Sequence, residues 1–345
     1  MPPRLKEIAD ALNLSVTTVS RALAGYPDVS EKTRQRVVQT AREMGYVPNV
    51  AAQHLQRQKA NAIGFIIPTF GPRFSDPFFS ELIAGIGNEA GRRGYDLLIS
   101  TVPPGPRELE TYRLQTYSGR VDGLVIVRTR LNDPRIAFLS ENDFPFVSFG
   151  SCNQPMDFPF VDVDGEYGTR LAVEHLIELG HTRIAYLTGP RDLSFSIMRL
   201  RGFVEAMERH GVPVREEWIL EGGLTEGDGH SLAMQLLAMQ PRPTAVIAAN
   251  DLMAIGVMGA VQEKGLEVGK DVSVIGFDDI SLAAYSHPPL TTVHQPIYSI
   301  GTKVTSMLIQ ILEGNPPEEK QIWIKPHLVI RKSTGKAPGN TIERG

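Results

Sequence analysis

The stretch LSVTTVSRAL (residues 14–23) decides how the first part of this chain folds. Its middle consists of β-branched and hydroxyl residues, which lower helix propensity because they restrict rotamers or compete for backbone hydrogen bonds. However, Val16, Val19 and Leu23 recur at helical spacing, and Ser15 stands where an N-capping residue belongs. A strand would show alternation of apolar and polar residues, which is absent. The pattern therefore predicts a short helix that ends before the next glycine.

Two further helices flank this stretch. The first has apolar residues at positions 5, 8, 9 and 12 and ends at Asn13, a residue that tolerates the left-handed conformation. The third begins near Ser30 and ends at Gly45. Its inner stripe comprises Val29, Thr33, Val37, Ala41 and Met44. Three short helices of this kind are typical of a helix-turn-helix module, and a three-helix packing unit without a DNA role is the alternative.

The residues of the second helix suit contact with DNA bases. Val16, Thr17 and Thr18 occupy its first turn, where small side chains let the backbone approach the major groove. Their methyl groups can touch a thymine methyl group, and the hydroxyls can bond phosphates or bases. Arg21, one turn further on, can reach the O6 and N7 atoms of guanine. The unusual composition of this helix is thus explained by base reading.

A basic segment, YVPNVAAQHLQRQKA (46–60), follows the three helices. Residues 50–56 are long enough for a two-turn helix, which is too short to be stable without DNA or a partner. Leu55 is an apolar residue in otherwise polar and basic surroundings. It is either incidental to a linker or a wedge that inserts between base pairs in the minor groove.

Charge is distributed unevenly along the 345 residues. The net charge at pH 7 is −4, but residues 1–60 hold nine Lys/Arg and five Asp/Glu, a balance of +4 that leaves −8 for the remainder. A basic head on an acidic body indicates a polyanionic partner for the head. No apolar run approaches the ~18 residues of a membrane span, and the N-terminus lacks the apolar core of a signal peptide. We therefore expect a cytoplasmic protein of two or three domains, with its one cysteine, Cys152, as a packing residue.

From residue 62 onward, apolar strands alternate with amphipathic helices. The candidate strands are AIGFII (62–67), YDLLIS (95–100), VDGLVIV (121–127), PFVSF (145–149), RIAYLTG (183–189), TAVIAAN (244–250) and VSVIGF (272–277). The candidate helices are 79–93, 167–179, 199–210 and 252–264. This alternation predicts parallel sheets, and the number of units predicts two doubly wound lobes. Ligands of such sheets bind outside the carboxyl ends of the strands, so binding residues should follow strands.

Acids, amides, an arginine and phenylalanines follow or adjoin these strands. They are Ser75 to Phe79, Arg199, Asn250, Asp251, Phe277, Asp278, Asp279 and, after LTTV (290–293), Gln295. This mixture suits a sugar, because polar groups bridge adjacent hydroxyls and aromatic rings stack on its apolar face. Helix capping is the alternative role for Asp251 and Asp279. Each phenylalanine has a core position as its alternative.

No motif in the sequence indicates catalysis. GLEVGKD (265–271) is one residue too short between glycines for a phosphate loop and lacks the Ser or Thr after Lys270. Asp278 and Asp279 are sequence neighbours, so they do not flank a glycosidic bond from opposite sides in ordinary backbone geometry. We predict no enzyme activity, cofactor or metal. The main alternative function is a transport-type sugar-binding protein, which would need an export signal and would have no use for the helix-turn-helix.

The chain resembles the LacI/GalR (lac-repressor) family in three motifs: IADALNLSVTTVSRAL, VSEKTRQRV and GYVPNVAAQHL. The resemblance runs to about Thr334 and implies an all-α helix-turn-helix head plus an α/β two-lobed, periplasmic-binding-protein-like sensor of two doubly wound parallel sheets. The implied domains are a head at 1–48, a hinge at 49–60, a sensor at 61–334 and a polar tail at 335–345. The implied lobes are an N-lobe of about 61–160 plus 293–321 and a C-lobe of about 161–290 plus 322–334.

The same resemblance implies functional positions. Base-reading positions correspond to Val16, Thr17 and Arg21, phosphate-contacting positions to Thr18, Ser20 and Asn49, and the intercalating position to Leu55. Effector-contacting positions correspond to Arg199, Asn250, Asp278 and Gln295, to which the residues themselves add Phe78, Phe79 and Phe277. Gly150 stands where several sugar-binding members have an acid, and Leu224 where some have tryptophan. Because of these two departures, the identity of the effector is not inferred from that of any single family member.

The implied function is a transcriptional repressor of carbohydrate-use genes. Such regulators bind a pseudo-palindromic double-stranded DNA operator as homodimers, and a sugar effector between the lobes controls operator affinity. The overall pattern is similar to regulators of α-glucoside or other disaccharide use. The residues after Lys332 are polar and lack a leucine heptad, so a dimer without a tetramer-forming helix is expected.

Overall fold

A computed structural model gives the structure of residues 3–46, 59–69, 76–152 and 157–338. The chain divides into two compact units, residues 1–59 and 60–345. The predicted hinge helix, with Asn49 and Leu55, lies outside the described residues. No helix in the described ranges has the length and apolar character that crossing a bilayer requires.

Three helices form the head: α1 Leu5–Leu12, α2 Val16–Leu23 and α3 Glu31–Glu43. The helix prediction for 14–23 is confirmed, since Ser15 caps α2 by accepting a 3.0 Å hydrogen bond from the Thr18 backbone N–H. Their shared core comprises Ile8, Ala9, Val19, Ala22, Val29, Val37 and Ala41. Burial of this apolar set and the Ser15 cap outweigh the weak helix propensity of α2.

The second unit contains two six-stranded sheets, one in each lobe. The N-lobe strands are β1 Ala62–Pro68, β2 Asp96–Val102, β3 Gly123–Ile126, β4 Phe146–Phe149, β5 Phe160–Val163 and β11 Gln321–Ile324. They are ordered β11–β5–β4–β3–β1–β2, and all neighbours are parallel. The N-lobe helices are α4 Pro77–Arg92, α5 Pro106–Tyr117, α6 Pro134–Glu141 and α12 Ile297–Leu312.

The C-lobe repeats this plan. Its strands are β6 Ile184–Thr188, β7 Ile219–Glu221, β8 Ala245–Ala248, β9 Ser273–Asp278, β10 Thr291–His294 and β12 His327–Val329. Their order is β12–β10–β9–β8–β6–β7, with only the β12–β10 pair antiparallel. The helices are α7 Gly165–Glu178, α8 Ser194–Arg209, α9 Glu226–Ala238, α10 Asp251–Glu263 and α11 Ser281–Tyr285.

Both sheets are covered on two faces, which is why their central strands are apolar throughout. Along β1, Ile63, Phe65 and Ile67 pack into one cluster, whereas Ala62 and Ile66 pack into another. This alternation places one cluster on each face of the N-lobe sheet. The C-lobe sheet is likewise flanked by two clusters. The architecture expected from the apolar strands is confirmed.

The chain passes between the lobes three times: from β5 to α7, from β10 to α12, and from β11 to β12. Strand pairing places these passages near residues 164, 295 and 325, a few residues after the boundaries expected from sequence at about 160, 290–293 and 321. The start of the expected polar tail is also built into the C-lobe. Gly335 O lies 3.0 Å from His181 Nε2, and the Ala337 N–H donates to Leu179 O.

Candidate functional site

The head presents part of α2 to solvent. Val16 is 43% exposed, and Thr17 and Arg21 are also exposed, although Val19 on the opposite side is fully buried. Thr18 and Ser20 are half-buried. This side of α2 is therefore accessible to another molecule, while the opposite side packs in the core of the head.

Arg21 contacts two neighbouring residues of the head. Its Nη2 atom lies 2.7 Å from Asp28 Oδ2, and its guanidinium lies 4.7 Å from the centre of the Tyr26 ring. Both members of the ion pair are about half exposed, so the pair stabilises the head by only ~0–1 kcal/mol. The pair therefore holds Arg21 in place on α2, and breaking it to release the arginine costs little free energy.

The second unit contains a cavity of about 700 Å³, including its open part, between the carboxyl ends of the two sheets. Strands from both lobes therefore deliver residues to one space, as expected for doubly wound sheets. Its polar lining residues are Asp76, Arg128, Thr129, Asp162, Arg199, Asn250, Asp278 and Gln295. The remaining lining residues are Phe78, Val127, Phe149, Gly150, Val163, Gly165, Phe195, Met198 and Leu224.

Arg199 is the buried cation of the C-lobe side. Its Nη1 atom donates to Ala249 O at 2.5 Å, and Nη2 lies 3.7 Å from Asp278 Oδ1. The guanidinium stacks 3.5 Å from the centre of the Phe277 ring and 4.8 Å from that of Phe195. Its Nε atom is buried and has no hydrogen-bond partner. This N–H is thus unsatisfied within the described part of the protein.

Asp278 and Gln295 form the adjoining acceptor group. Gln295 Nε2 donates to Asp278 Oδ1 at 2.5 Å, while Gln295 Oε1 is buried without a partner. Burial raises the pKa of Asp278 to about 7; the Arg199 charge opposes this shift and Asp76 adds to it. Asp278 also has a φ of 114°, a region that L-residues rarely adopt. Strain of this kind concentrates at functional sites.

The N-lobe side carries a second acid–arginine pair. Asp76 Oδ2 lies 3.4 Å from Arg128 Nη2, and Asp76 caps α4 by accepting a 3.1 Å hydrogen bond from the Phe78 N–H. Burial raises the pKa of Asp76, and Arg128 opposes that shift. Asp162 accepts hydrogen bonds of 2.7 Å from both the N–H and the hydroxyl of Ser151, and burial raises its pKa as well.

Aromatic rings and a helix cap complete the cavity. Phe78 stacks on Phe149 with ring centres 6.0 Å apart. Asn250 caps α10 by accepting from the Met253 N–H at 3.0 Å, and its amide donates to Leu224 O at 3.1 Å. Flat apolar rings beside polar groups match what a sugar ring requires.

The lobes also contact each other by backbone hydrogen bonds. The Ser194 N–H donates to Thr129 O at 2.9 Å, and the Leu131 N–H donates to Asp192 O at 3.3 Å. Arg130 reinforces this junction, since its Nε lies 3.5 Å from Asp192 Oδ2. The lobes are thus held against each other by more than the three chain crossings.

Five of the seven residues expected to contact an effector line the cavity: Phe78, Arg199, Asn250, Asp278 and Gln295. Phe79 and Phe277 do not. Phe79 is 1% exposed in the N-lobe core, and Phe277 is 2% exposed and lies behind the Arg199 guanidinium. Each is next to a cavity residue in the sequence, but its own ring packs into a core.

The neighbouring acids have structural roles. Asp251 is fully buried and accepts from the Ile280 N–H at 2.8 Å and from the Thr292 hydroxyl. Asp279 is paired with Arg331 at 2.7 Å and with His294 at 2.9 Å. Sequence reasoning had not assigned Arg128, Asp162 or Phe195 to the site. Arg128 lies two residues after β3, and Asp162 lies within β5. These positions at the ends of strands are the signal that could have identified both residues.

Comparison with known proteins identifies the relatives of this chain. Residues 4–49 match the family of bacterial regulatory proteins called lacI, and residues 173–334 match a periplasmic binding protein-like domain. The chain is 38% identical to the HTH-type transcriptional regulator AglR of Rhizobium meliloti (strain 1021) over 343 residues, 98% of this chain and 96% of AglR. The chain belongs to the LacI family. The resemblance seen in the sequence is thereby confirmed.

Solved structures of LacI-family proteins agree with the whole fold. The lac repressor dimer bound to operator and the anti-inducer ONPF has a TM-score of 0.85 and 31% identity, with coverage of 97% of this chain and 100% of that chain. The complex of the transcriptional regulator CelR with cellobiose has a TM-score of 0.74 and 30% identity, with coverage of 96% and 99%. These LacI-family relatives are transcriptional regulators, not enzymes. This member is a DNA-binding transcriptional regulator, and the transport-type alternative finds no support.

Proposed function

We propose that this regulator represses genes of carbohydrate use and that a sugar bound in the inter-lobe cavity controls its affinity for an operator. The observation that carries this proposal is the cavity itself, in which the Arg199–Asp278–Gln295 group faces the same space as the stacked Phe78 and Phe149 rings. The polar groups can bridge vicinal hydroxyls, and the rings can cover the apolar face of a pyranose.

A disaccharide is the effector class that we propose, for a cavity that is lined by residues of both lobes. The binding of cellobiose by the relative CelR supports this size class. An α-glucoside or another disaccharide is therefore proposed, with Phe78, Arg199, Asn250, Asp278 and Gln295 as direct contacts. Phe79 and Phe277 are assigned supporting positions behind the lining.

The operator is proposed to be a pseudo-palindrome bound by a homodimer. The lac repressor dimer was solved on its operator, which supports this assembly for a relative of the same fold. Val16, Thr17 and Arg21 are proposed to read bases, and Thr18, Ser20 and Asn49 to contact phosphates. Leu55 of the hinge is proposed to intercalate at the centre of the operator.

Coupling between the two sites depends on the arrangement of the lobes. A ligand shifts operator affinity only by as much as its affinities for the two lobe arrangements differ, typically ~1–3 kcal/mol. The protein is proposed to act in the cytoplasm by binding alone, without catalysis.

The test combines a ligand screen with DNA binding. An operator selected from random DNA by the full chain would be titrated in gel-shift assays with each sugar that raises the unfolding temperature in a mono- and disaccharide panel. We expect at least one disaccharide to raise that temperature and to change operator affinity about 5–150-fold. A protein that binds sugars without any effect on DNA affinity would be a binding protein only, and turnover of the sugar would indicate an enzyme.

A further inference from the structure

We infer that the inter-lobe cavity accepts an uncharged sugar and rejects the phosphorylated form of the same sugar. This inference rests on the proposed function, because it names the chemical class of effector for that site. It follows from the charges that line the cavity, from the partners of its two arginines, from the caps of the helices that start there, and from the two polar atoms left without partners.

The described lining is richer in acids than in bases. Three carboxyl groups (Asp76, Asp162 and Asp278) face two guanidinium groups (Arg128 and Arg199). Burial raises the pKa of each of these carboxyl groups, which means that the surroundings already disfavour negative charge. A phosphate ester brings a further charge of −1.5 to −2 at pH 7. The loss of hydration that disfavours charged carboxylates in this cavity would also oppose the entry of a charged phosphate group.

Both arginines are engaged by the protein. Arg199 bonds the Ala249 carbonyl, lies beside Asp278, and has aromatic rings at 3.5 and 4.8 Å from its guanidinium carbon. Arg128 pairs with Asp76, and its guanidinium lies 4.9 Å from the centre of the Phe79 ring. Phosphate recognition by arginine uses two parallel N–H bonds from one guanidinium edge. A phosphate would therefore have to compete with acceptors of the protein at both arginines, with the Ala249 carbonyl and Asp278 at Arg199 and with Asp76 at Arg128.

Two helices that start at the cavity, α4 and α10, have side-chain caps, and the first N–H of α8, which has no such cap, is taken by the Thr129 carbonyl. An uncapped N-terminus is a ready anion site, since its first N–H groups and the helix dipole both favour negative charge. Here Asp76 occupies the N-terminus of α4 and Asn250 that of α10, each by accepting a backbone hydrogen bond. The Asp76 carboxylate places protein charge where a phosphate would bind. Displacing that cap would lose its hydrogen bond and leave an acid beside the phosphate.

Two buried polar atoms of the lining residues have no hydrogen-bond partner among the described residues. Arg199 Nε is a donor and Gln295 Oε1 is an acceptor, so rearrangement of these side chains around a ligand would present one of each. Sugar hydroxyls both donate and accept, so they can satisfy both kinds of atom. A phosphate dianion placed against the glutamine oxygen only accepts and would leave that oxygen unsatisfied at a cost. The effector would therefore be a sugar that reaches the protein unphosphorylated, and a kinase acting on that sugar would end the signal.

The test compares each sugar with its own phosphate ester. Isothermal titration of the full chain would use cellobiose and cellobiose 6-phosphate, maltose and maltose 6′-phosphate, and trehalose and trehalose 6-phosphate. We expect at least one neutral sugar to bind and its ester to bind at least about 100-fold more weakly, because like-charge contacts cost several kcal/mol and each tenfold corresponds to 1.4 kcal/mol. An ester that binds as tightly as its parent sugar would overturn the inference but leave the sugar-effector function standing. If no sugar and no ester binds, the proposed function fails and the inference fails with it.

A variant pair tests the physical cause. Asp76→Asn removes the charge at the N-terminus of α4 but retains a capping oxygen. We expect the preference of this variant for the sugar over its phosphate ester to be at least about tenfold smaller than that of the wild type. Asp157→Asn is the matched control, because Asp157 is an exposed acid outside the cavity lining, paired with Lys320. A ratio that stays unchanged in Asp76→Asn, or that changes equally in Asp157→Asn, would overturn the electrostatic explanation.

Discussion

Arg199 Nη2 and Asp278 Oδ1 lie 3.7 Å apart inside the cavity, and this pair joins the start of helix α8 to the end of strand β9. The carboxyl group is buried, and its attraction to the arginine does not fully offset the desolvation of its charge. A separation of 3.7 Å is longer than a direct charge-assisted hydrogen bond. The two groups are therefore not directly hydrogen-bonded to each other, which leaves both residues able to rearrange around a ligand.

The raised pKa of Asp278 predicts a pH-dependent stability. The folded pKa of about 7 lies above the ordinary value of 3.8, so the folded protein holds this proton more tightly than the unfolded chain. The stabilisation is complete below about pH 4 and is lost as pH rises towards 7. Asp278→Asn removes this dependence. The difference obtained by subtracting the free energy of unfolding of the variant from that of the wild type should decrease between pH 4 and 7, by at most about 1.4 kcal/mol per pH unit. Above pH 7 it should level off. Urea unfolding across this range measures it, and a constant difference would contradict the raised pKa.

Asn250 combines a helix cap with a proposed ligand contact, and two variants separate these roles. Asn250→Ala should destabilise the protein by about 1 kcal/mol because α10 loses its capping oxygen, whereas Asn250→Ser keeps an oxygen there. Both variants lose the amide group, so both should lose sugar binding in calorimetry while operator binding in gel shifts is retained. Wild-type sugar affinity in Asn250→Ser would show that the amide does not contact the ligand.

Gly150 cannot take a side chain without a local shift. Its φ is 113°, and a Cβ placed on it would lie 2.5 Å from Thr129 Oγ1. Gly150→Ala and Gly150→Asp should therefore each cost about 1–3 kcal/mol of unfolding free energy in urea titrations. Gly94→Ala is the control, because Gly94 also has a positive φ but an added Cβ would meet nothing within 4 Å. Equal losses at both glycines would mean that the Thr129 contact is unimportant.

Arg21 should determine base preference more than overall DNA affinity. Arg21→Ala is expected to cost about 1–3 kcal/mol of discrimination between operator variants, since a bidentate contact to guanine is lost. Arg21→Lys keeps the charge but not the planar fork, so it should lose discrimination with a smaller loss of affinity. Lys32→Ala serves as a control that removes one charge from α3 instead of α2. Gel shifts over a set of operator variants measure these effects, and an unchanged preference in Arg21→Ala would exclude base reading by this residue.

Local signals in the sequence were sufficient for the three described helices of the head and for strands β1–β4, β6, β8 and β9. Ser15 and Ser30 cap α2 and α3 as their positions indicated, and Asn13 has the left-handed φ of 57° that ends α1. These features depend on a few neighbouring residues, so they can be recognised without the rest of the chain. The central strands were found for a related reason: burial on both faces demands apolar residues throughout.

Elements that depend on distant partners were missed. The missed strands β5, β7, β10, β11 and β12 have only three or four residues each, and helices such as α5 and α9 have no strong apolar face in the sequence. Short edge strands exist because a neighbouring strand offers hydrogen bonds, which no local pattern records. The strand pattern in the sequence did not reveal β5 and β11, which belong to the N-lobe sheet. The predicted lobe boundaries therefore lie a few residues too early.

What the sequence alone determined was the kind of molecule: a helix-turn-helix head, a doubly wound two-lobed body, and polar residues at strand ends. What only the tertiary structure decided was which strand ends meet. Asp76 and Arg128 are 52 residues apart, yet they pair at 3.4 Å in the cavity. The same packing turned Phe79 and Phe277 into their cores and left Phe78 and Asp278 at the cavity. Such proximity arises because sheet pairing and the three chain crossings bring distant strand ends together, and no local propensity encodes it.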